Sequence, residues 1–78
     1  MSTTADETLR MWGEQIHLHR TVLGLTLEQV AAEVGVRMPT VWRWEHGQME
    51  PRRHHKVKLA ETLHTDVRIL FPLVRPAA

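Results

Sequence analysis

Cysteine is absent from all 78 residues, which excludes disulfide staples, Cys-ligated zinc and thiol nucleophiles. Tyrosine is absent too, and the aromatic residues reduce to three Trp and one Phe, so the core must be mainly aliphatic. No apolar run approaches the ~20 residues of a membrane span. The start, MSTTADETLR, lacks the basic beginning and apolar stretch of a signal peptide, so a soluble, unprocessed, cytoplasmic chain without a membrane partner is expected. At 9.1 kDa, one small domain needs most of its apolar residues for a single core, which leaves little for an enclosed substrate pocket. Neither a nucleophile beside a base nor a carboxylate pair is evident, so no enzyme and no cofactor is expected. The six His do not change this: His17 and His19 are two apart, and His54 and His55 are adjacent. Neither pair has the i, i+4 spacing of a helical zinc site, so no metal is expected.

Charge of one sign is also scarce overall, with a net +1, but its distribution is uneven. Residues 1–36 hold Arg10 and Arg20 against Asp6, Glu7, Glu14, Glu28 and Glu33. Residues 37–58 invert the balance, with Arg37, Arg43, Arg52, Arg53, Lys56 and Lys58 against Glu45 and Glu50. Such a basic block is either a polyanion-binding face or a solvated charged surface.

Period-3.6 patterning runs through nearly the whole chain, and nothing alternates as a strand does, so an all-α fold is predicted. Leu9, Trp12, Ile16, Arg20 and Leu23 form the stripe of a first helix over about 5–22, with a Thr4–Glu7 capping box before it and Gly24 after it. Thr26 with Gln29 makes a second capping box, with Leu25 and Val30 as a staple, for a helix over 27–34 that stops at Gly35. Pro39 opens a third helix, N-capped by Arg37 or Met38, that carries Thr40 to His46 and ends at Gly47. Gln48 to Pro51 reads as an exposed loop. A fourth helix follows over 52–63 with Val57, Leu59, Ala60 and Leu63 inward. Thr65 or Asp66 caps a fifth carrying Val67, Ile69, Leu70 and Phe71, and Pro72 terminates it. The expected organisation is an extension over 1–8, a domain over 9–71 and a loosely ordered tail over 72–78.

Two short helices joined by a tight Gly-containing turn, here spanning 26–46, form a helix-turn-helix unit. The ordered set LTLEQVA, GV, TVWRWE-x-G and P-x7-LA, with Arg20 before it and Leu70-Phe71 after it, resembles the lambda-repressor-like, Cro-type helix-turn-helix family, the xenobiotic-response-element regulators of phage and bacteria. The resemblance covers Trp12 to Phe71 and implies a compact five-helix DNA-binding domain acting as a transcriptional regulator of the Cro type, a repressor that occupies an operator. It implies an ion pair between Arg20 and Glu45, and a seam of Val30, Val34, Val41 and Trp44 with small Ala31 at the helix crossing. The base-reading positions of the family fall on Leu27, Arg37, Met38, Pro39, Thr40, Trp42 and Arg43. Leu27, Met38 and Pro39 depart from the polar residues common there.

Arg43 is the clearest base reader, since its fork matches guanine O6 and N7. Met38 or Trp42 could meet thymine methyls. Trp42 has two further readings, packing over the fourth helix or facing a partner protein. Phosphate contacts are expected from Thr26, Gln29, Gln48, Arg52, Arg53, His54, His55 and Lys56, and counting Arg37, Arg52, Arg53, Lys56 and one or two others gives about four to six per protomer. The partner is a double-stranded DNA operator, read by a homodimer formed in solution or only on DNA. Ile69, Phe71, Leu73 and Val74 are the candidate dimer contact, unless Phe71 simply closes the core. An antitoxin-type regulator with a protein partner, and an interaction module that has lost DNA binding, are the rival readings.

Overall fold

The computed structural model describes residues 4–73. Five helices, and no strand among the described residues, run in the order α1 (Thr4–Val22), α2 (Leu27–Val34), α3 (Met38–Glu45), α4 (Arg53–Thr62) and α5 (Val67–Leu70). The core gathers Trp12 and Ile16 from α1, Val30, Ala31 and Val34 from α2, and Val41 and Trp44 from α3. Leu59, Ala60, Leu63, Leu70 and Phe71 close it from the C-terminal half. Within α1 the buried pair is spaced i, i+4, which puts both side chains on one face.

The α2 boundaries follow from local chemistry. Thr26 Oγ1 accepts from the Gln29 N–H at 3.0 Å, and Gln29 Oε1 accepts from the Thr26 N–H at 2.8 Å, so two otherwise orphaned donors are satisfied reciprocally. At the other end Gly35 adopts φ 89°, a left-handed conformation that costs glycine little, and its N–H and that of Val36 both reach the Ala31 carbonyl. The chain therefore reverses within three residues and starts α3 at Met38, with Arg37 at the N-cap and Pro39 in the first turn. Arg37 makes no side-chain cap bond, as expected for a residue without an acceptor.

Several expectations are corrected. Val57 is 46% exposed, because it lies two residues from Leu59 and hence ~200° around a 3.6-residue helix from the face that packs. Leu23 is also exposed, since α1 has ended before it. Ile69 is exposed while Leu70 is buried, and Phe71 is the C-cap of α5, not part of it. Pro51 is buried, unlike the rest of its loop. The Thr4 side chain, and with it the Thr4–Glu7 box, lies outside the described residues, as do Val74 and the remainder of the tail.

A helix interior is a poor place for glycine, yet Gly13 sits in the middle of α1. A Cβ there would lie 2.6 Å from the Trp44 carbonyl oxygen and closer still to that of Glu45. The missing side chain is what lets α1 approach the end of α3 backbone to backbone.

Candidate nucleic-acid interface

The inward side of α3 is held rigidly. Trp44 is 2% exposed and Val41 fully buried, which settles Trp44 as a packing residue. Next to it Glu45 is a buried carboxylate, and two side chains meet it. Arg20 donates from Nε to Oε2 and from a terminal nitrogen to Oε1 at 3.0 Å, a bidentate pair. Its other terminal nitrogen donates to the Leu25 carbonyl at 2.8 Å, so one guanidinium ties α1 both to the end of α3 and to the turn before α2. Bonding to Glu45 raises the Arg20 pKa above its ordinary value. His17 adds a ring nitrogen 3.0 Å from Glu45 Oε1, a contact that spacing alone does not reveal because its partner is 28 residues away.

The outward side of α3 is different in kind. Pro39, Trp42 and Arg43 are exposed, with Met38 and Thr40 half-buried at its edges and Arg37 exposed at the N-cap. Neither Arg37 nor Arg43 has an acidic partner among the described residues. Trp42 does not pack over α4. Its indole stacks on His46, with ring centroids 3.7 Å apart and planes 18° from parallel. The start of α2 supplies exposed Thr26 and Gln29, whose hydroxyl hydrogen and amide N–H groups remain free after the capping box has used their oxygens. Leu27 is half-buried and packs against the core, so it offers this surface little beyond its backbone N–H.

The loop and α4 divide. Gln48 lies beside Met38, Pro39, Trp42 and Arg43, at the rim of the outward side of α3. Arg52, Arg53 and His54 are exposed, but the two arginines line a separate hollow with Trp12, Phe71 and Leu73. Lys56, a phosphate candidate, already has partners within the fold. Its ammonium is 2.8 Å from Glu50 and 4.2 Å above the Trp12 ring, so the charge is spent on an internal ion pair and a cation–π contact. Burial, then the neighbouring His54 and Arg52 charges, lowers the His55 pKa, so that ring is a weaker partner for phosphate as a cation but keeps one N–H donor. Phe71, 5% exposed, closes the core edge-on against Trp12, whose indole N–H donates to the Pro72 carbonyl at 2.9 Å. Ile69 and Leu73 remain exposed. No group of three or more His, Cys, Asp or Glu capable of holding a metal occurs among the described residues, and none of their helices is long and apolar enough to cross a membrane.

Comparison with known proteins agrees with this geometry. The Helix-turn-helix family matches residues 19–70. The restriction-modification controller protein C.AhdI from Aeromonas hydrophila is 32% identical, with a TM-score of 0.77 over 81% of this chain and 96% of that one. The P22 c2 repressor in complex with a synthetic operator is 24% identical, with a TM-score of 0.77 over 80% and 94% of the two chains. The same fold also forms 34% of the hydroxypropylphosphonic acid epoxidase from S. wedmorenis, at 23% identity, a TM-score of 0.75 and 82% coverage of this chain. Comparison with curated proteins finds no match.

Proposed function

The chain belongs to the helix-turn-helix family, and from that membership we propose that it is a sequence-specific, double-stranded-DNA-binding transcriptional regulator rather than an enzyme. The observation that carries this reading is the two-sidedness of α3: Val41, Trp44 and Glu45 are locked inward, while Pro39, Trp42 and Arg43 project outward with an unpaired guanidinium among them. An exposed helix of this kind, preceded by a helix whose N-terminus offers free donors, fits the way a recognition helix enters a major groove while its neighbour meets the backbone. Thr26, Gln29, Arg37 and Gln48 would hold phosphates, and Arg43 would read guanine. Exposed Arg52, Arg53 and His54 would add to these contacts, whereas Lys56 would first have to leave Glu50. In a Cro-like mode the bound domain would repress by occupying the operator, in the bacterial or phage-infected cytoplasm where that DNA lies. A second copy, joined through Ile69 and Leu73, would match a palindromic site.

Selection from a random DNA pool, followed by titration of the best and a scrambled site at several salt concentrations, tests this reading. Arg43→Ala should cost ~1–3 kcal/mol on the selected site and relax preference at one base pair. Failure to enrich any sequence would reject it and favour a protein partner.

A further inference from the structure

On the outward side of α3, Met38 and Trp42 are one turn apart, and so are Pro39 and Arg43. Together with Gln48 they line an open hollow of 360 Å³. Its composition is unusual for a surface that meets DNA: three of these five residues are apolar, none is acidic, and the one charge is Arg43. Trp42 is 40% exposed yet fixed in place. Its ring is stacked on His46, and His46 Nδ1 lies 2.8 Å from the Trp42 carbonyl oxygen. A carbonyl only accepts, so Nδ1 carries the proton, and the donated bond fixes the imidazole under the indole. The hollow therefore has a wall that does not need to be ordered when something enters it.

The edges of base pairs in a major groove present hydrogen-bonding groups with one apolar exception, the C5-methyl group of a pyrimidine. An apolar hollow beside an arginine has its complement there. We propose that the hollow of Met38, Pro39 and Trp42 receives the C5-methyl of a pyrimidine adjacent to the guanine read by Arg43, so that thymine and 5-methylcytosine are both preferred over their unmethylated counterparts. This rests on the reading of α3 as the DNA-reading helix and adds to it a sensitivity to cytosine methylation. Thymine and 5-methylcytosine differ at position 4 but carry the same methyl group at the same place in the groove. A pocket that recognises the methyl alone accepts either.

The test uses the full chain and the site obtained by selection, with binding read by fluorescence anisotropy. At the pyrimidine next to the guanine that Arg43→Ala ceases to discriminate, replacing thymine by deoxyuridine removes one methyl and nothing else. The expected loss is about fourfold, the value of burying one methyl-sized apolar group. Placing 5-methylcytosine instead of cytosine there should recover a similar factor. In Trp42→Ala, whose ring lies outside the core, the thymine-to-deoxyuridine and 5-methylcytosine-to-cytosine binding ratios should both fall toward one, whatever the change in overall affinity. Equal binding of thymine and deoxyuridine at every position of a selected site would overturn the proposal and leave the regulator reading standing, with the hollow then open to an apolar side chain of a partner protein. A thymine effect without a 5-methylcytosine effect would overturn the equivalence of the two bases. Absence of any selected site would remove the DNA reading itself and this proposal with it.

Discussion

His64 holds a left-handed backbone, with φ 57°, where α4 ends. The next N–H, that of Thr65, reaches back to the Ala60 carbonyl at 2.9 Å, so the position works as the left-handed residue of a helix stop although it is not glycine. A side chain in this region is strained by ~1 kcal/mol. His64→Gly should therefore stabilise the domain by up to ~1 kcal/mol, partly offset by glycine's greater freedom in the unfolded chain, and raise the melting temperature by a few degrees. Thermal unfolding followed by circular dichroism checks this; an unchanged or lower midpoint would show that the conformation carries no such strain. At the same scale Trp42 and Lys56 show how a residue's chemistry underdetermines its task. Both belong to types that bind nucleic acid, yet one is exposed on the outward side of α3, stacked on His46, and the other lies over Trp12, paired with Glu50.

At the scale of elements, the contact between α1 and α3 sets the direction in which α3 points, and two features hold it. The first is Gly13. Substituting alanine should gain ~1 kcal/mol of helix propensity, yet the new Cβ meets two backbone carbonyls that cannot swing aside. Gly13→Ala is expected to destabilise the fold, read as a lower urea midpoint, whereas Gly24→Ala meets no atom within 4 Å and differs only through its φ of 72°. The second is the Arg20–Glu45 pair, with side chains 13% and 3% exposed. Removing one partner strands a charge away from water, so Glu45→Ala should cost ~3–5 kcal/mol, much of the stability of a domain this small. A double-mutant cycle with Arg20→Ala reads the coupling, and additive effects would deny it. Specific DNA binding should weaken in Glu45→Ala beyond the loss of folded protein, since the end of α3 loses its anchor.

For the whole molecule, the basic residues of the 37–58 block take up different surroundings. Arg37 and Arg43 lie along α3, Arg52 and Arg53 line the hollow beside Trp12 and Phe71, and the His55 ring sits 5.3 Å from Trp44. That last placement makes overall stability pH-dependent. The native state, with a lowered His55 pKa, binds fewer protons than the unfolded chain between the two values. This contribution is complete above the unfolded histidine value of ~6.5 and is lost as pH falls through it toward the lower folded value. The groups facing the ring are Arg52 and His54, both of which act against protonation. Urea midpoints measured from pH 7.5 to 5 should fall, and fall less in His55→Gln; parallel curves for the two proteins would place the sensitivity elsewhere.

Much of this was already written in local chemistry. The Thr26–Gln29 box, the glycine stop at Gly35 and the proline of α3 each act within a few residues, so the limits of α2 and α3 were readable from the chain alone. The helical period likewise marked Trp12, Ile16 and Leu59 as core, because a 3.6-residue repeat specifies which side chains share a face. Val57 was misplaced because α4 carries few apolar residues, and its packing rotation depends on what α2 presents to it. The Arg20–Glu45 pair was expected from family resemblance, since no spacing rule links residues 25 apart. The His17 contact with Glu45, the close approach at Gly13 and the capture of Lys56 by Glu50 and Trp12 were decided only by tertiary structure. Each joins segments whose proximity exists only once the helices have packed. Short-range hydrogen bonding and periodicity determine the elements; which polar groups become buried, paired or left free to meet a ligand is determined by how those elements close on one another.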